Sequence, residues 1–365
     1  MTSAGRTPYD YFTRLSSAFL TGKYYLSQNP VWLNELINIG PGKYTFVNPP
    51  IPAIIAIPFV WIFGNAFQQQ YLAHLVGALS IIVVWTIAQK IKRDIKLSIW
   101  SSLLLGLGSI FWFLSATGSV WYLGQVTAVF FILLAINESL GRKRPFLIAS
   151  FLACAFFSRL QLILSLPFFI YLTFRDSVSV KKIVSFSIPI ALFFAAYFIY
   201  NFLRFGNPLQ NGYTLIAGIL NEPWFNKGQF SIQYIPNHLY LLFLKLPIFL
   251  KSFPYIQPSW AGMAIWITTP AFIYALKANI KDRVNIASWI TILLVGLVNF
   301  SYGSTGFTQF GYRYAVDFYP FLTLLTIKGA AKTGIKWHHW VLLILSIAVN
   351  LWGVLWINKF GWVSF

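Results

Sequence analysis

Gly42-Lys-Tyr-Thr-Phe-Val-Asn-Pro-Pro-Ile-Pro-Ala-Ile-Ile-Ala-Ile-Pro58 is where this chain changes character. Before Pro49 it mixes polar and aromatic residues; after it, apolar runs near the ~20 residues needed to cross a bilayer recur to the end. Over 365 residues, 58% are hydrophobic and 10% charged. A soluble protein of this length could not cover so much apolar surface. The sequence therefore predicts an all-α, polytopic integral membrane protein. Residues 1–48 form an external loop carrying an amphipathic helix, and 49–365 form the transmembrane bundle.

Outward from that stretch, residues 9–21 place Phe12, Leu15, Phe19 and Leu20 at near-helical spacing, as in a helix lying in the interface plane. Spans are predicted at about 71–89, 97–116, 122–138, 183–203, 260–276, 285–300, 314–328 and 340–357. Prolines 49, 50, 52 and 58 make 49–64 a poor spanning helix and favour a re-entrant or interfacial segment. Residues 146–174, split at Ser158-Arg159, read as a short hairpin with an arginine near its bend.

The net charge of +19 would suggest nucleic acid in a soluble chain. Here 16 of the 27 Lys and Arg fall in five short loops, around Lys90–Lys96, Arg142–Arg144, Arg175–Lys182, Lys277–Arg283 and Lys328–Lys336. That is the signature of cytoplasmic loops, and no nucleic-acid partner is expected. The other polar stretches, Thr117–Tyr122, Arg204–Trp260 and Ser301–Arg313, then converge with residues 1–48 on the extracytoplasmic side. Such an N-terminal loop needs a helix to translocate it, so a further transmembrane helix is expected ahead of Met1. The alternative is that 49–64 spans and the N-terminus is cytoplasmic.

Several chemistries find no support. Residues 1–22 lack a signal-peptide pattern. Cys154 is the lone cysteine and lies in an apolar run, so no disulfide forms within the chain. His74, His238, His338 and His339 show no metal spacing, and neither metal nor cofactor is expected. Gly40-Pro-Gly-Lys43 lacks the earlier glycine of a P-loop. No serine-hydrolase elbow is present.

Charged groups away from helix ends are costly in a membrane and point to function. Arg159, Arg313 and Asp317 are the cases. Arg313 and Asp317 stand i,i+4 and would face each other on an α-helix. Their pairing could be structural, or Arg313 or Arg159 could bind an anionic phosphate. Asp10 and Glu35, at the mouth of the bundle, are candidate general bases. Glu222 reads as part of a turn, and Asp94, Glu138, Asp176 and Asp282 as counter-charges to the basic loops.

Pro49-Pro-Ile-Pro-Ala-Ile-Ile-Ala-Ile-Pro58 with Phe63-Gly64 resembles the segment closing the first external loop of bacterial GT-C glycosyltransferases of the protein-mannosyltransferase (family 39-like) type. Ser158-Arg-Leu-Gln-Leu-Ile-Leu-Ser-Leu-Pro167 is similar to their arginine-bearing turn. Tyr200-Asn-Phe-Leu-Arg-Phe-Gly-Asn-Pro208 with Gly212-Tyr213, and Gln309-Phe-Gly-Tyr-Arg-Tyr-Ala-Val-Asp-Phe-Tyr-Pro320, follow in the family's order. The resemblance implies a GT-C-like bundle lacking the first helix, in a bacterial plasma membrane. It implies an inverting transferase that takes a sugar from a polyprenyl-phosphate donor at the extracytoplasmic face, with a glycan, lipid or protein acceptor. In that reading Asp10 is the base and Glu35 the runner-up. Arg159, Arg313 and Arg204 hold the donor phosphate, supported by Asp317, Gln309 and Tyr312. Ser17 stands where relatives would show an acid. The competing readings are a lipid-linked-sugar transporter or flippase and an inactive membrane scaffold.

Overall fold

The computed structural model describes residues 5–306 and 308–361. Among these residues, fourteen α-helices are joined by short 3-10 turns and two small hairpins. They are α1 (Tyr11–Leu20), α2 (Ile51–Phe63), α3 (Gln69–Ile91), α4 (Ile95–Gly106), α5 (Phe111–Thr117), α6 (Val120–Ser139) and α7 (Pro145–Phe156). There follow α8 (Leu166–Phe174), α9 (Val180–Phe205), α10 (Ile235–Phe243), α11 (Ile265–Thr268), α12 (Arg283–Ser301), α13 (Tyr319–Thr333) and α14 (Trp337–Val354). Strands β1 (Ile37–Gly40) and β2 (Lys43–Thr45) pair antiparallel, as do β3 (Ile248–Phe249) and β4 (Ile256–Gln257). The chain is a multi-pass helical membrane protein.

Among the described residues, α3, α6, α9, α12 and α14 (with its π-helical extension to Lys359) are long and apolar enough to cross a membrane, and α4 with α5 makes a sixth candidate, bent by 55°. The sequence-expected spans 260–276 and 314–328 are not continuous α-helices. In the first, Pro270 drives Thr269 out of helical geometry (φ −146°, ψ 66°), and Pro270–Lys277 continues as 3-10 helix. In the second, Arg313–Phe318 is 3-10, and α13 starts only at Tyr319, with Pro320 in its first turn. Residues 146–174 contain α7, a break at Phe157–Arg159, the 3-10 turn Leu160–Ser165 and α8.

The basic loops share one end of the bundle. Lys90 donates to Asn137 C=O, Arg144 pairs with Glu138 (2.8 Å), Lys143 with Asp176 and Lys328 with Asp282. Asp94 departs from the counter-charge expectation: its Oδ1 caps α4 by accepting from Lys96 N–H (2.9 Å) and Leu97 N–H (3.2 Å).

At the opposite end the polar loops meet. Ser231 N–H donates to Ser301 C=O (2.7 Å), Gln309 N–H to Trp260 C=O (3.2 Å) and Tyr122 OH to Thr308 C=O (2.6 Å). The N-terminal loop is clamped there by two amides opening α3. Gln69 accepts from Phe12 N–H (3.1 Å) and donates to Gly118 C=O (2.8 Å); Gln70 accepts from Thr7 N–H (3.3 Å) and donates to Gly5 C=O. Gly118 (φ +60°) cannot be larger, since a Cβ there would lie 2.5 Å from Gln70 Cα. On the other side of α1, Ser16 Oγ donates to Ala53 C=O of α2 (2.6 Å). Polar side chains thus hold this loop onto an otherwise apolar bundle.

Candidate active site

Asp317 is the centre of a buried polar network. Its side chain is fully buried and accepts from Arg159 Nε (3.2 Å) and Nη2 (2.9 Å), Gln161 (2.7 Å), Asn299 (3.0 Å) and Gln125 (3.2 Å). These groups come from the Phe157–Arg159 break, the 3-10 turn Leu160–Ser165, α12 and α6. Five donors on one carboxylate compensate the cost of burying it. The sequence expectation that Arg313 faces Asp317 is corrected here. On a 3-10 helix with three residues per turn, positions four apart lie about 120° apart around the axis, so Asp317 turns to Arg159.

Arg313 points elsewhere. It is 7% exposed and makes no ion pair among the described residues. Its Nη1 reaches Gln125 Oε1 and its Nη2 the Tyr314 hydroxyl, both at a weak 3.4 Å, and its Nε–H has no partner among the described residues. The guanidinium lies over the rings of Tyr314 (4.6 Å) and Tyr122 (5.8 Å). Gly306 (φ +96°) lets the chain pass close at that point, since a Cβ there would sit 2.9 Å from Arg313 Nε.

Gln309 and Tyr312 hold the backbone around Arg313. Gln309 accepts from Arg313 N–H (3.2 Å) and donates to Ala261 C=O (2.6 Å) and Thr305 C=O (2.8 Å). Tyr312 is buried with its hydroxyl 2.6 Å from His238 Nδ1, while His238 Nε2 is 2.8 Å from Tyr302 C=O. A carbonyl only accepts, so Nε2 carries the proton and Nδ1 accepts from Tyr312. Burial pushes the His238 pKa down to about 4, in keeping with this neutral tautomer.

The two candidate bases sit in different surroundings. Asp10 is buried at the start of α1 and makes no cap hydrogen bond; its Oδ1 instead accepts from Arg14 Nε (2.7 Å), with Arg6 at 3.9 Å. Glu35 is half-buried and makes no ion pair among the described residues. Trp121 Nε1–H is 3.1 Å from both its carboxylate oxygens, and its backbone N–H donates to Tyr11 OH (3.1 Å). Burial raises the Glu35 pKa, opposed by the Trp121 hydrogen bond and by the charge of Arg313. Tyr213 and Tyr302, joined by a hydrogen bond between their hydroxyls, lie within electrostatic reach of the same carboxylate.

The structure therefore brings Glu35, Arg159, Arg313 and Asp317 around a shared set of tyrosines. Arg159 lies 5.9 Å from the Tyr314 ring that Arg313 also covers. Arg204 is not part of this set. It donates to Phe46 C=O and Asn201 Oδ1 (both 2.7 Å) and stacks on Tyr200 (4.0 Å), fastening the N-terminal loop to the end of α9. Glu222 is exposed in the long loop. Among the described residues no three His, Cys, Asp or Glu side chains group as metal ligands. Sequence reasoning passed over Gln125, Gln161 and Asn299. Their signal was a primary amide inside an apolar run.

No family model matches this chain, and no curated protein matches it. Among solved structures it is similar to ArnT from Cupriavidus metallidurans bound to undecaprenyl phosphate. The TM-score is 0.58 at 14% identity, over 98% of this chain and 62% of that one. It is also similar to ArnT from Cupriavidus metallidurans in the apo state, with a TM-score of 0.48 at 13% identity, over 99% and 62%. The chain spans less than two thirds of the length of the structures it matches. The first likeness shows a shared fold, a GT-C-like helical membrane bundle.

Proposed function

We propose that this chain is a glycosyltransferase of the GT-C type, related to the protein-mannosyltransferase group. It moves a sugar from a polyprenyl-phosphate donor to an acceptor hydroxyl on a glycan, lipid or protein, with inversion. The observation that carries this reading is a carboxylate, Glu35, and a guanidinium, Arg313, within electrostatic reach of one another, neither in an ion pair among the described residues and Arg313 with an Nε–H left unpartnered among them. Glu35 takes the proton of the acceptor hydroxyl as that oxygen bonds the anomeric carbon. The bond from that carbon to the phosphate oxygen breaks, and the departing phosphate keeps the electron pair. Arg313 stabilises the charge that develops there, with an N–H to spare for it. Asp10, already paired with Arg14, is the second choice for the base.

Three lines support the donor class and the side of the membrane. The similar solved structure is bound to undecaprenyl phosphate, an anion of the kind a buried arginine without a carboxylate partner would meet. The loops around Glu35 lie opposite the basic end of the bundle, which favours the extracytoplasmic face of a bacterial plasma membrane. The sequence motifs resembling the family include Arg159, Arg313 and Asp317.

The test is transfer by the purified chain in lipid nanodiscs from radiolabelled polyprenyl-phosphate sugars, with the anomeric configuration of the product read by NMR. Transfer with inversion supports the reading. Retention would sink the single-displacement mechanism. Donor binding without transfer would favour a lipid-linked-sugar transporter or an inactive scaffold.

A further inference from the structure

The hairpin between α10 and α11 plays no part in the site around Glu35 and Arg313, yet its exposed face is apolar. β3 and β4 pair Ile248 with Gln257 and Phe249 with Ile256, and Leu250 N–H donates to Tyr255 C=O (2.7 Å) across the turn. Phe249 is 68% exposed, Phe253 73%, Tyr255 59% and Ile256 42%. An isolated two-stranded ribbon with this face in water would be marginally stable and prone to association. Lys245 and Lys251 flank it and make no ion pair among the described residues. From residue 206 to 262 the charged side chains are Lys227, Lys245 and Lys251 against the single acid Glu222.

Both ends of the hairpin are tied to the rim of the bundle. Ala264 N–H donates to Lys245 C=O (2.9 Å), and Trp266 Nε1–H to Phe243 C=O (2.7 Å). Trp266 and Phe243 are themselves 55% and 50% exposed, like residues of an interfacial aromatic belt. Beyond β4 the chain runs to Trp260 and Ala261, whose carbonyls accept from the backbone and side chain of Gln309. Gln309 in turn accepts from Arg313 N–H.

From the aromatic tip, the flanking lysines and the rim attachment we infer that the β3–β4 hairpin is seated in the anionic lipid surface of the bilayer beside the site. Aromatic and aliphatic side chains enter the headgroup boundary, and Lys245 and Lys251 remain with the lipid phosphates. Through Gln309 the seated hairpin fixes the height of the Arg313 loop against the membrane. This inference is independent of the sugar chemistry.

The test uses the full chain with Cys154→Ala and a nitroxide label at Phe249→Cys, Phe253→Cys or, as a reference in the same loop, Glu222→Cys. Collisions with oxygen and with a water-soluble nickel chelate are read in nanodiscs of neutral or of partly anionic phospholipid. The expected result is a several-fold higher oxygen-to-nickel collision ratio at 249 and 253 than at 222. It should rise further with anionic lipid and lose that rise in the Lys245→Gln/Lys251→Gln variant. Nickel access at 249 and 253 equal to that at 222 would overturn the inference. Protection from both agents would overturn it in favour of a protein partner, including a second copy of this chain. A high ratio indifferent to anionic lipid would overturn the role given to the lysines.

Discussion

Arg159 and Arg313 approach the same Tyr314 ring and are chemically identical, but their surroundings differ. Arg159 faces a carboxylate that also collects three amides, so its charge is used up inside the protein. Arg313 has two long hydrogen bonds, two aromatic faces and an N–H with no partner among the described residues. A buried cation without a carboxylate is tolerable when a ligand completes it. The contrast supports the proposed division, in which Arg159–Asp317 contributes stability and Arg313 binds the ligand.

The largest effect that could break this contrast is on stability. Asp317→Ala strands Arg159 and should cost about 3–5 kcal/mol, read as a loss of thermal stability in detergent. Arg313→Ala removes no ion pair among the described residues and should cost far less; equal losses would erase the distinction. Next is His238, which braces Tyr312 in its neutral form. Its folded pKa of about 4 lies below the ordinary 6.5. The stability it contributes is therefore present above pH 6.5 and is lost as pH falls from there toward 4. The loss should reach about 3 kcal/mol, and His238→Gln should flatten that part of the profile.

Smaller effects sharpen the ligand side. Arg313→Ala should weaken donor binding by about 1.5–3 kcal/mol, the range for a charged hydrogen bond, measured by lipid-phosphate titration. Unchanged affinity would return Arg313 to a packing role. The same change removes a positive charge that favours ionised Glu35, so the acid limb of the pH–rate profile should move to higher pH. Trp121→Phe should shift that limb the same way, because it removes a hydrogen bond to the carboxylate. An acid limb unmoved by either change would separate Glu35 from the reaction.

The bundle was legible because hydropathy and basic loops report on the membrane directly, residue by residue. The discontinuities were less so: Pro270 and Pro320 lie inside apolar runs, and composition does not show that the helix breaks there. The pairing at the site was hidden for a related reason. Arg313 and Asp317 have helical spacing, but a 3-10 turn rotates them apart, and Asp317's partner lies 158 residues away at Arg159. The choice between Asp10 and Glu35 depends on Arg14, one turn beyond Asp10, and on Trp121, 86 residues beyond Glu35. The first contact is readable from spacing; the second exists only in the fold.

The most direct test compares Glu35→Gln with Asp10→Asn in one transfer assay, using protein of matched folding and donor binding. The account predicts that Glu35→Gln lowers turnover by about 10²–10⁴-fold, the contribution of a positioned base, while Asp10→Asn leaves most of it. Full activity in Glu35→Gln, or silence confined to Asp10→Asn, would contradict it.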